Sequence, residues 1–127
     1  MINANKELIF AISQRLFENG SMLSQQIKKV IDKVLLQKEI YLTSDLENLE
    51  RMSIEGINYI IRSCHHSKLI KDTLKESHLE GEVLSAILKN HESVYKDMNI
   101  LVEYCNSIRE HASKEGYIIN EKEICLN

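Results

Sequence analysis

"HESVYKDMNILVEYC", residues 91–105, carries His91, Val94, Met98, Leu101 and Cys105 at alternating steps of three and four. That rhythm is the seam of an α-helix, because residues three and four apart share one face. It continues outward in both directions, through Leu84 and Ile87 before it and Ile108 and Ala112 after it. From Leu84 to Ala112 such a helix measures about 43 Å at 1.5 Å per residue. Its start is expected at Ser77 or Gly81 and its end near Ser113, ahead of Gly116. Glu92/Lys96 and Glu110/Lys114 add favourable i,i+4 pairs on its flanks. A seam this regular packs on the chain's own helices or on another chain. Leu84, Ile87, His91, Val94, Met98, Leu101, Cys105 and Ile108 are therefore the candidate partner or dimer seam. His91 and Cys105 sit about 21 Å apart on one helix, too far to share a metal ion. A histidine in an apolar seam is expected to be neutral and to need a hydrogen-bond partner.

The rest of the chain suits a helical domain. It has 127 residues, 43% of them hydrophobic and 28% charged, so one domain is expected. Proline and tryptophan are absent and glycine occurs four times, which points to an all-α fold. The net charge of -3 argues against a general nucleic-acid binder. Cys64, Cys105 and Cys125 are an odd, widely spaced set. They read as free thiols of a cytoplasmic protein rather than as a secreted disulfide framework. The apolar run 8–12 is short for a signal peptide, and no stretch approaches the roughly 18 apolar residues of a membrane span.

Upstream, residues 5–19 place Leu8, Ile9, Ile12, Leu16 and Phe17 on one face. Gly20 stands where a left-handed C′ residue would end that helix, and Ser24 can cap a second helix to about Lys38. Residues 1–38 thus read as a basic helical hairpin, with six Lys or Arg against three acids. "EIYLT", residues 39–43, is a β-branched and aromatic interruption. Ser44 and Glu47 form a capping box for a helix with the stripe Leu46, Leu49, Ser53, Ile57, Ile60 and Cys64. Gly56 inside it permits a close neighbour. "CHHS", residues 64–67, is its expected end, with a short helix to Glu76 beyond. Residues 44–115 form the acidic helical body. In the tail, 116–127, Tyr117 and Ile119 alternate, as do Ile124 and Leu126, which suggests a small β-hairpin. The expected core comprises Ile12, Leu16, Ile31, Leu49, Ile57, Ile60, Leu84, Ile87, Val94, Met98, Leu101 and Ile108.

The stretch "NKELIFAISQRLFENGSMLSQQIKKVIDKVLL" resembles the SHOCT-like short helical domain, through Gly20, Met22, Leu23 and Ser24 between two amphipathic segments. It departs from that pattern by one extra residue before the cap and by Gln26-Ile27 where an acidic-aromatic pair is usual. The resemblance covers about a quarter of the chain. It implies an oligomerisation or nucleic-acid-associated module of the kind carried by bacterial mobile elements, with a non-enzymatic accessory role.

No catalytic or cofactor pattern emerges. His78/Glu82 and His111/Glu115 are spaced to share a helix face, but the Glu-x-x-His, His-Glu-x-x-His and Cys-x-x-Cys patterns of metal sites are absent. Cys64, His65 and His66 are adjacent, so on a helix they point apart. No cofactor, metal or enzymatic activity is therefore expected. Two functions remain. The first is a small cytoplasmic protein–protein interaction module, regulatory, inhibitory or accessory. It would bury an amphipathic helix face against another protein or a second copy of itself, a homodimer being expected. The alternative is a DNA-binding regulator whose N-terminal hairpin acts as a helix-turn-helix, presenting Gln25, Gln26, Lys28, Lys29 and Lys33.

Overall fold

The computed structural model describes residues 2–76 and 81–121. Three helices of 34 residues each, α1 (Ile2–Leu35), α2 (Thr43–Glu76) and α3 (Gly81–Lys114), pack against one another. Two three-residue strands, β1 (Ile40–Leu42) and β2 (Tyr117–Ile119), complete the fold. The described residues are all-α apart from this small sheet. The seam of α3 is the centre of the core. Val94, Met98, Leu101, Cys105, Ile108 and Ala112 are buried there with Ile27, Ile31 and Val34 of α1 and Leu49, Met52 and Tyr59 of α2. No helix among the described residues is long and apolar enough to cross a membrane.

The turn expected at Gly20 does not occur. Residues 2–35 form one uninterrupted helix, and Gly20 lies buried within it without a left-handed φ. Its value is space. A Cβ at this position would clash with the Tyr59 hydroxyl and the ring carbon that bears it, so the glycine admits an aromatic side chain of α2 against the α1 backbone. This contact also decides which face of α1 points inward. Ser13, Gly20, Ser24, Ile27, Ile31 and Val34 are buried, a face at steps of seven, four, three, four and three that is small in its first half and β-branched in its second. Small side chains let the helix axes approach closely, and close approach extends van der Waals contact along both backbones. In the N-terminal half this face wins over the bulkier stripe, so Ile12 is 42% exposed and Leu8 59% exposed. Leu16 is only partly buried.

Helix α2 likewise runs through the expected break at residues 64–67. Cys64 and His65 are exposed and His66 is buried, the divergence that adjacent helical residues must show. Gly56 does serve close approach. A Cβ there would come within 2.6 Å of Val102 Cγ2 on α3. Ile57, expected in the core, is 43% exposed because Gly56, Tyr59 and Ser63 face inward instead. Ile60 is partly buried, Ile87 packs on Ile70, and the side chain of Leu84 lies outside the described residues.

The contacts Ser13–His66 and Gly20–Tyr59 run α2 antiparallel to α1, and Ser53–Asn106 and Gly56–Val102 run it antiparallel to α3, leaving α1 and α3 parallel. The segments that follow α1 and α3 therefore leave the bundle at the same end. They pair there as a parallel ladder, Ile40 with Tyr117, Tyr41 with Ile118 and Leu42 with Ile119. The hairpin expected within 116–127 is thus replaced, for Tyr117–Ile119, by pairing with residues 40–42; Ile124 and Leu126 lie outside the described residues. Lys38 and Glu39, both with left-handed φ (48° and 69°), make the sharp turn from α1 into β1. The ladder carries Glu121 to the start of α2. One carboxylate oxygen of Glu121 accepts both the Ser44 N–H at 3.0 Å and the Ser44 hydroxyl. Glu47, the expected capping partner, is exposed. A carboxylate at this position satisfies a free helix N–H and meets the positive end of the dipole. The Ser44 hydroxyl bond, then the Ser44 N–H bond, hold the Glu121 carboxyl below its usual range.

Candidate functional site

The proposed seam is internal. His91, Val94, Met98, Leu101, Cys105 and Ile108 are all buried within the chain by α1 and α2, so none of them presents a surface to a partner. Ile87 is half-buried against Ile70. The physical reason is stoichiometric: two neighbours, parallel α1 and antiparallel α2, already cover the apolar face of α3. The five residues assigned to DNA contact, Gln25, Gln26, Lys28, Lys29 and Lys33, are exposed along the uninterrupted α1. They share a helix with the segment that would have been its own support. No helix-turn-helix is built from residues 5–38. Lys33 is engaged at 3.2 Å by Asp45, a buried acid in the first turn of α2.

Two features stand out instead. The first is a polar node inside the bundle. Ser13 of α1, His66 of α2 and His91 of α3 are each at least 92% buried. The Ser13 hydroxyl and His66 Nε2 share a hydrogen bond at 2.6 Å. The His66 and His91 rings lie 5.4 Å apart between centroids, tilted by 46°. Neither nitrogen of His91 has a hydrogen-bond partner of good geometry. Burial favours the neutral form of both rings and lowers both pKa values. His91 is pushed down further by neighbouring His66, and the Ser13 backbone beside it offsets only part of this. Clefts of about 270 Å³ and 200 Å³ reach His91 from opposite sides, the larger bordered by Cys64, Lys68, Lys71 and Glu92.

The second feature is on the surface. Ile54, Ile57 and Ile61 of α2 are 52%, 43% and 51% exposed at spacings of three and four. They make one apolar stripe on the outward side of the helix. Hydrophobic residues scattered singly are ordinary, but a contiguous stripe at helical spacing is an interaction signal.

Nothing in either feature assembles a metal site. Among the described residues, no group of three or more His, Cys, Asp or Glu is placed to hold an ion. His111 meets Glu39 at 3.5 Å and Glu115 at 3.7 Å and stands edge-on to Tyr41, beside the β-ladder. His78 lies outside the described residues. The sequence reading missed Ser13 and Glu121. Ser13 was legible as the first member of the small-residue series that includes Gly20 and Ser24; Glu121 had no local signal, because only the parallel ladder brings it to Ser44.

No family model, curated protein or solved structure matches this chain.

Proposed function

We propose that this chain is a small protein–protein interaction module that acts by burying an exposed apolar helix face against another protein chain. Its role is regulatory, inhibitory or accessory rather than catalytic. The observation that supports this reading is the stripe Ile54, Ile57 and Ile61, three large aliphatic side chains left in water on a helix whose other face is fully packed. Fully burying an exposed aliphatic side chain contributes about 1.5–3 kcal/mol, and these three are about half exposed, so each adds roughly half of that and the partner's surrounding contacts supply the rest. The free thiols Cys64 and Cys105 are consistent with work in the reducing cytoplasm.

The test is affinity capture from the native host with the wild-type protein and with Ile57→Lys. Ile57 is 43% exposed, so the charge should leave helicity and thermal midpoint nearly unchanged. A partner held by the wild type and lost by the variant is the expected result. The same proteins captured equally by both would remove this face from the function.

A further inference from the structure

On the outward face of α2, an exposed residue recurs at unbroken steps of three and four from Glu47 to Lys71. This is the a/d rhythm of a coiled-coil seam, about 36 Å long at 1.5 Å per residue. Its chemistry is ordered along the helix. Two acids, Glu47 and Glu50, open the series; Ile54, Ile57, Ile61 and Cys64 fill its middle; two bases, Lys68 and Lys71, close it.

Such an order is complementary to its own reverse. In an antiparallel pair centred on position 59, Glu47 meets Lys71 and Glu50 meets Lys68, while Ile54 meets Cys64 and Ile57 meets Ile61. All four pairings share that one centre, and each sets an a position against a d position, the layering that antiparallel helices require. A two-fold axis doubles them to four apolar layers flanked by four opposite-charge layers. A parallel pairing would instead set acid on acid and base on base. Tyr59 itself points the other way, into the bundle, so the axis passes the side of α2 that the core leaves open. Glu50 has one partner within the chain, Arg109 at 3.7 Å, but its side chain remains 55% exposed and open to a second cation.

We propose that this face binds a second copy of the same chain, forming an antiparallel α2–α2 homodimer in this register. The inference rests on the interaction reading above and names its partner. The charges set direction and register, since each exposed pair contributes only about 0.2–1 kcal/mol. The apolar centre supplies most of the attraction. The interface is at the small end of the specific range, so dissociation constants on the order of micromolar are expected.

Sedimentation velocity over a concentration series reads the assembly directly. The wild type should move from monomer to dimer within the micromolar range. The double variants Glu47→Lys/Glu50→Lys and Lys68→Glu/Lys71→Glu should each stay monomeric where the wild type is dimeric. Mixed in equal amounts, they should restore a dimer. Under mild oxidation, Ile54→Cys should give a covalent dimer through Cys64 of the second copy. Native Cys64 should not cross-link to itself, because the two copies lie about ten residues, or roughly 15 Å, apart along the seam. A helical wild type that stays monomeric into the hundreds of micromolar overturns the proposal. So do charge variants that dimerise unaided, or a native Cys64–Cys64 cross-link forming as readily as the Ile54→Cys one. If the wild type is monomeric while Ile57→Lys still abolishes capture of a host protein, self-pairing fails and the interaction reading stands.

Discussion

Replacing His91 by Leu should stabilise this protein, and the gain should grow as the solution is acidified. His91 is 1% exposed, and neither ring nitrogen has a hydrogen-bond partner of good geometry. A buried polar group left without a partner costs about 1–3 kcal/mol. Leucine has nearly the volume of the imidazole and belongs to the aliphatic seam around it, so little strain opposes the exchange. The expected gain near neutral pH is about 1–2 kcal/mol, or about 4–8 °C in the thermal midpoint. The pH dependence follows from burial, which lowers the pKa of both His66 and His91. Below an ordinary histidine pKa of about 6.5 the unfolded chain binds protons that the folded chain refuses. Stability is therefore complete above that value and falls as pH drops toward the folded pKa, by up to about 1.4 kcal/mol per pH unit for each histidine. For His91 the sign is set by burial and then by neighbouring His66, with the Ser13 backbone opposing it in part. The variant loses one of the two proton sites. Its advantage should widen between about pH 7.5 and about pH 5.5, by at most about 1.4 kcal/mol, the limit at which the folded ring stays neutral throughout. Urea denaturation followed by circular dichroism at both pH values measures this. A variant that fails to fold, or a difference that does not change with pH, would refute the reasoning and give His91 a specifying role in the core.

Two further outcomes follow from the packing. Gly20→Ala should lower stability. The helix-propensity gain of about 1 kcal/mol is outweighed by overlap with the Tyr59 ring, since overpacking costs about 1–3 kcal/mol; a raised melting midpoint would contradict the α1–α2 contact. Cys105 is fully buried and its thiol is pushed up to about 11, chiefly by desolvation. In the folded protein at mildly alkaline pH, alkylation with peptide mapping should label exposed Cys64 and spare Cys105; comparable labelling rates would show that the seam opens.

The long helix was legible from the spacing of His91, Val94, Met98, Leu101 and Cys105, and α3 runs from Gly81 to Lys114 as that spacing requires. The self-reversed order of charge along α2 is also written in the chain, but its meaning depends on exposure. Periodicity says that Ile54, Ile57 and Ile61 share a face; only the structure shows that face turned to water. The candidate dimer seam failed for the same reason, because a stripe does not announce whether its cover comes from its own chain.

Local patterns such as helical spacing are determined by sequence alone because they depend on neighbours within a turn or two. The choice between a left-handed stop and a packing notch at Gly20 is different. It was decided by Tyr59, 39 residues away, filling the space that the missing side chain leaves. In the same way Glu121 replaced Glu47 at the start of α2 because parallel α1 and α3 deliver their following segments to one end of the bundle. The sequence by itself determined which residues could share a face. Tertiary packing decided which face turned inward, because closely approaching small-residue faces bury more contact than the bulkier stripe beside them.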